Sequence, residues 1–123
     1  MTKHKILLVE DIYFNQVLIQ SLLTEWGYEV ALAENGSEAL SKMDSEKPDL
    51  VVLDLMLPIM DGFKFLEVKK NNGNRTPVVV LSARNDMESI NKALGLGAID
   101  YITKPFNSTD LSNKIEAILL ENK

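Results

Sequence analysis

The sequence predicts an α/β fold, a single domain of five βα units wound into a doubly wound parallel sheet. Strand-like and helix-like patterns alternate five times along the chain. The strand-like runs are short, rich in Val, Ile and Leu, and lack polar alternation, the mark of strands covered on both faces. With 123 residues and no repeat, low-complexity tract or linker, the chain suits one core, and the domain is set at residues 1–123.

Lys5–Val9 is the first strand and runs into Glu10-Asp11. Phe14, Val17, Leu18 and Leu22 recur at helical spacing, widened by Ile19, Leu23 and Trp26, the last read as core. Gly27 ends that helix. Glu29–Ala33 is the second strand, Asn35-Gly36 a turn, and Ala39, Leu40 and Met43 mark a short second helix. Asp49–Asp54 is the third strand, followed by a helix over 61–71 with an untidy stripe of Phe63, Phe65, Leu66 and Val68. Pro77–Leu81 is a fourth strand, nearly all β-branched. Asn85 and Glu88 stand at capping-box spacing for the fourth helix, which closes on Gly95-Leu96-Gly97. Ala98–Ile102 is the fifth strand. Leu111, Ile115, Ile118 and Leu119 mark the last helix, capped by Asn107 or Ser108.

Composition excludes several functions. A net charge of −5 argues against direct contact with nucleic acid. No cysteine is present, so disulfides, thiol catalysis and zinc–thiolate sites are ruled out, and a reducing compartment fits. The apolar run Ile6–Val9 is too short for a signal peptide or a membrane span, so a cytoplasmic domain without membrane contact is expected.

Asp54 is the oddity. It ends an apolar run where an unpaired carboxylate would be costly to bury. In an open parallel sheet, ligands sit beyond the carboxyl ends of the strands. Those ends carry Glu10-Asp11, Glu34, Asp54, Ser82 and Thr103-Lys104-Pro105. Glu10, Asp11 and Asp54 would converge and repel, and a hard divalent cation with oxygen ligands relieves that repulsion. Mg²⁺ fits such a set. A carboxylate beside that cation and a lysine suits phosphoryl transfer, with Asp54 as nucleophile and Ser82 donating to a phosphoryl oxygen.

At these residues the chain resembles the receiver domain of two-component response regulators, the chemotaxis-type receiver. The resemblance spans ILLVED (6–11), NGSEAL (35–40), PDLVVLDLMLPIMDG (48–62), PVVVLSA (77–83) and GAIDYITKPF (97–106). It implies a flavodoxin-like (βα)₅ sheet of strand order 2-1-3-4-5. It also implies that Asp54 is the phosphoacceptor, that Asp11 binds the metal directly and Glu10 through water, and that the Met56 carbonyl is a further ligand. Mg²⁺ is the implied cofactor, with Mn²⁺ as a substitute. Ser82 and Lys104 would hold the phosphoryl group, Lys104-Pro105 would be cis, and Tyr101 would change rotamer with Ser82 on activation. Pro58 and Asp61-Gly62 match the loop after the phosphoacceptor strand.

Implied partners are a histidine kinase or histidine phosphotransfer protein and a downstream effector or fused domain. A homodimer through the fourth helix, fifth strand and fifth helix is a further possibility of the family. VEDIYFNQVLIQSLL is similar to receivers fused to hybrid sensor kinases, so the parent could be a hybrid histidine kinase. The domain would then be a signalling switch that assists its own phosphorylation rather than an enzyme.

Departures are few. Glu10 replaces the more usual Asp, Ile12 replaces a polar residue, and Met56 and Arg84 occupy the positions that tune phosphoryl lifetime. Met56 has no group to orient an attacking water, so fast self-dephosphorylation is not expected. A Mg²⁺-dependent phosphohydrolase would need a second aspartate at position 56 and a cap insertion, and has neither. A receiver-like module that no longer takes phosphate conflicts with the intact Asp11, Asp54 and Lys104. His4, near the terminus, reads as no phosphocarrier, and Gly95-Leu96-Gly97 lies between helix and strand, the wrong order for a dinucleotide loop.

Overall fold

The computed structural model describes residues 3–121, so positions 1–2 and 122–123 of the predicted domain lie outside the described residues. Strands and helices alternate in the order β1 (Lys5–Val9), α1 (Tyr13–Glu25), β2 (Glu29–Ala33), α2 (Gly36–Glu46), β3 (Leu50–Leu53), α3 (Gly62–Asn71), β4 (Val78–Ser82), α4 (Met87–Gly95), β5 (Asp100–Thr103) and α5 (Ser108–Glu121). Every strand pair is parallel and the sheet order is β2-β1-β3-β4-β5, as the resemblance implied. No helix among the described residues is long and apolar enough to cross a membrane.

Alternation along each central strand divides the apolar side chains between two layers. Leu7, Val9, Val51, Leu53, Val78 and Val80 pack with Ala39 and Met43 of α2, Phe65 and Leu66 of α3, and Ala93 of α4. Ile6, Leu8, Leu50, Val52, Val79 and Leu81 pack instead with Ile19 and Leu23 of α1 and with Leu111, Ile115, Ile118 and Leu119 of α5. Between Lys5 at the start of β1 and Ser82 at the end of β4, the central strands are therefore apolar, because both faces are covered. β2, at the edge, is only half-buried.

Register fixes where the strands stop. Val9 lies opposite both Ala33 and Leu53, Leu53 opposite Val80, and Ser82 opposite Thr103. The residues that follow these positions share one edge of the sheet.

Three expectations shift. The stripe of α1 is rotated: Gln16, Ile19 and Leu23 face the core, whereas Phe14 is 72% exposed and Val17 and Leu18 are largely solvated. The helix is apolar on more than one face, so its phase follows a polar tie, in which the Gln16 amide donates to the Glu10 carbonyl at 2.7 Å. Trp26 is half-buried against the α1–α5 layer rather than enclosed. The cap of α4 is Asp86, not Asn85: its carboxylate accepts from the Ser89 amide at 3.0 Å and the Ser89 hydroxyl at 2.8 Å. A charged acceptor bonded twice outcompetes the neighbouring amide. The Asn107 side chain caps α5, accepting from the Asp110 amide. Gly27 and Gly97 follow α1 and α4 at φ of 96° and 107°, values that suit glycine.

Candidate functional site

Four of the predicted polar side chains meet at the carboxyl edge of the sheet. Glu10 follows β1 and is 1% exposed; Asp54 follows β3 and is 6% exposed. The Asp54 amide donates to the Val9 carbonyl, which extends the β1–β3 ladder by one residue and places the carboxylate at the lip. Ligand oxygens of Glu10, Asp11 and Asp54 lie within 4.8 Å of one another, the one such acidic group among the described residues. Asp11 Oδ1 is buried with no hydrogen-bond partner.

Lys104 reaches across from the end of β5. Its ammonium donates to Glu10 Oε1 at 2.7 Å and Asp54 Oδ2 at 3.1 Å. The other oxygens are held by backbone: the Ile12 amide donates to Glu10 Oε2 at 3.0 Å and the Met56 amide to Asp54 Oδ1 at 3.1 Å. Burial lowers the Lys104 pKa, but the hydrogen bond that it donates to Glu10 and the fields of Asp54 and Glu10 outweigh it, and the net shift is upward from 10.5. Lys104 is thus a fixed cation at neutral pH. Its amide donates to the Ser82 carbonyl, and the Lys104-Pro105 peptide is cis, as expected.

The donor set suits a hard cation. Three carboxylates offer only oxygen, one oxygen is orphaned, and a single ammonium is shared between two of the three acids. Glu10, Asp11, Asp54 and the Met56 carbonyl are the groups that would hold it. Glu34, at the end of β2, is not part of the acidic group.

Ser82 ends β4 fully buried, its Oγ accepting from the Arg84 amide at 3.3 Å. Tyr101, half-buried on β5, donates its hydroxyl to the Arg84 carbonyl at 2.6 Å. Burial is the main cause of an upward shift of its pKa. Both side chains therefore meet one short segment, residues 82–84, after β4. Met56, two residues past Asp54, is 56% exposed, and Arg84, two residues past Ser82, is exposed.

Sequence reasoning placed Gly36 in a turn and Gly62 in the loop after Asp54 but missed the close approaches that these two glycines admit. A Cβ on Gly62 would come within 2.6 Å of the Asp54 carbonyl oxygen, and one on Gly36 within 2.6 Å of the Met60 carbonyl oxygen. The Gly36 amide donates to that same Met60 carbonyl at 2.8 Å, so the loop is latched to the start of α2. The pairs NG and DG in the sequence signal turns, not close approaches, and so concealed this role. Asp61 caps α3 by accepting from the Lys64 amide at 2.9 Å.

Comparison with known proteins agrees with this geometry. A family model described as "Response regulator receiver domain" matches residues 6–116. The alkaline phosphatase synthesis transcriptional regulatory protein PhoP of Bacillus subtilis (strain 168) is 42% identical over 117 residues, covering 94% of this chain and 48% of PhoP. Sporulation initiation phosphotransferase F of the same organism is 32% identical, covering 97% of this chain and 96% of that protein. The chain thus spans about half the length of the curated transcriptional regulators it matches. A CheY-like receiver domain protein from Methanospirillum hungatei JF-1 superposes with a TM-score of 0.92 at 30% identity, covering 98% of this chain and 97% of the other. The receiver domain of sensor histidine kinase PA1611 from Pseudomonas aeruginosa PAO1, solved with a magnesium ion coordinated in its active site cleft, superposes at 0.87 and 30% identity, covering 96% and 98%. The five-stranded order, the acids at its carboxyl edge and the match over residues 6–116 lead to one conclusion: this chain is a member of the response regulator receiver domain family.

Proposed function

We propose that Asp54 accepts a phosphoryl group from a partner's phosphohistidine, and that the resulting acyl phosphate resets an interaction surface. The observation that carries the reading is the shared hold of Lys104 on Glu10 and Asp54 beside the orphaned oxygen of Asp11. An Asp54 oxygen attacks phosphorus, the phosphorus–nitrogen bond breaks, and its electron pair returns to the imidazole of the donor. Mg²⁺ bound by Glu10, Asp11, Asp54 and the Met56 carbonyl, or Mn²⁺ in its place, would supply charge neutralisation for the transferring oxygens. Lys104 remains protonated and pairs with a phosphoryl oxygen, and the Met56 amide orients the Asp54 carboxylate. The Ser82 hydroxyl turns from the Arg84 amide toward the phosphoryl group. Tyr101, bonded to the Arg84 carbonyl, moves with that segment, which links the site to the face of α4, β5 and α5. That face is the proposed contact with an effector, a fused domain or a second copy.

The phosphodonor side is the solvated face of α1. Tyr13, Phe14, Val17 and Leu18 leave apolar surface in water. Leu18 and Leu22 also line a groove of about 440 Å³ with Lys104, Pro105 and Phe106. A helix carrying the phosphohistidine would cover both and bring its imidazole to Asp54. The full-length parent could be a hybrid histidine kinase or a regulator with a further output domain; the length of the curated relatives supports the second.

The test is intact-mass measurement after incubation with Mg²⁺ and acetyl phosphate. One phosphoryl group should be gained, lost on chelation, and absent in Asp54→Asn. No gain under conditions that modify a control receiver would leave the chain an interaction module.

A further inference from the structure

Lys69 is a buried ammonium without a counter-ion. It lies in the last turn of α3, at the end of the sheet opposite Asp54, and is 8% exposed. Its one hydrogen bond is to the Asn74 carbonyl at 3.1 Å, which leaves two of its three donors unused. Among the described residues no carboxylate lies within ion-pair distance of Lys69 or of Arg75. Buried charges are ordinarily paired, because removing them from water is expensive. Burial holds the Lys69 ammonium below the usual lysine pKa of 10.5.

The surroundings supply the rest of a site. Lys69, Lys70 and Arg75 line one cavity of about 680 Å³ between α3, the loop into β4, and the end of α4. Thr76, Asn74 and Gly97 also line it, and no acidic residue contributes to this wall. Lys69 and Asn74 line a second, smaller cavity of about 340 Å³ with Asp44, whose carboxylate makes no ion pair with Lys69. Three cations face one cavity in a chain whose net charge is −5. Lys70 and the last turn of α3 would account for one cation as a partner of helix-end carbonyls, and Lys70 does reach the Gly95 carbonyl at 3.4 Å. Neither Lys69 nor Arg75 is used in that way on α4.

We propose that this cavity is a binding site for a small dianion, a phosphate ester or a dicarboxylate, which acts as the missing counter-ion of Lys69. Arg75 closes on the ligand from the exposed side, and Lys70 sets the field. The site is separate from the acidic edge and does not depend on phosphorylation of Asp54. Because α3 begins beside Asp54 and carries Lys69 in its last turn, one helix bounds both sites.

Amide chemical shifts of the full chain, titrated in the absence of Mg²⁺ with inorganic phosphate and in parallel with succinate, test this. Saturable shifts are expected at Gly73, Asn74, Arg75, Thr76 and Gly97, and the tighter of the two titrations identifies the ligand class. Lys69→Met should weaken that binding about tenfold or more, the cost of one charged hydrogen bond. Arg75→Gln, an exposed position that leaves the core intact, should weaken it severalfold, which keeps the test open if the core variant fails to fold. Acetyl phosphate labelling of Asp54 should be unchanged in both variants. Shifts confined to Ser82 and Lys104, or equal shifts in wild type and both variants, would overturn the proposal.

Discussion

Lys104 touches two carboxylates, and its charge sets how they are held. Replacing it with methionine leaves Glu10 and Asp54 facing each other without a cation. Lys104→Met should therefore destabilise the fold by about 1–3 kcal/mol, read by thermal unfolding in the absence of Mg²⁺. The sign with pH follows from the raised pKa: Lys104's contribution is complete below the ordinary lysine value of 10.5 and fades only as pH passes its higher folded value. The stability difference between wild type and Lys104→Met, after allowing for the carboxylates, should thus stay level from about pH 7 to 10 and shrink only in stronger alkali. Met56 makes a kinetic prediction. Its apolar, exposed side chain, two residues past Asp54, offers no group to orient water. Phosphorylated protein should lose phosphate slowly, and a half-life of seconds by intact mass would remove this role for Met56.

α1 shows how an element acquires two faces with different tasks. Ile19 and Leu23 are enclosed by the α5 layer, while Phe14 and Val17 stay in water one step around the helix. Ile19→Ala should cost about 2–5 kcal/mol of stability as a buried truncation. Phe14→Ala should change stability by no more than about 0.5 kcal/mol. Kinetics should reverse that order: Phe14→Ala slows phosphorylation by a protein donor and leaves phosphorylation by acetyl phosphate unchanged. Equal effects on both donors would place the defect in the Asp54 site and not in docking. Register also matters at the loop after β3, where Gly36 and Gly62 admit carbonyls that any Cβ would strike. These contacts fix the loop that carries Met56 and so the direction of the Asp54 carboxylate.

The whole molecule gathers like charge at one edge of its sheet, and a bound cation would relieve the repulsion. Glu10, Asp11 and Asp54 come together only when β1 and β3 pair, so the unfolded chain has no such site and cation binding would become folding energy. Mg²⁺ should raise the unfolding midpoint, by an amount equivalent to about 2.7 kcal/mol at a hundredfold excess over its dissociation constant. Asp11→Asn should remove most of that gain, and an unchanged gain would exclude Asp11 from the cation site. Much of this was legible along the chain. Apolar runs without alternation announced strands of a covered sheet, and four of the five runs, ending in Glu10-Asp11, Asp54, Ser82 and Lys104, marked the edge where chemistry gathers. Local patterns carry that information because period and strand ends are short-range properties. The rotation of α1, the choice of Asp86 over Asn85, the glycine contacts and the isolation of Lys69 were not legible. Each depends on atoms distant in sequence or on competition between neighbours: the amide of Gln16 on Glu10, the double bond to Asp86, the carbonyls of Asp54 and Met60, the empty flank of α3. A helix apolar on several faces has a period but no preferred phase until such a contact supplies one.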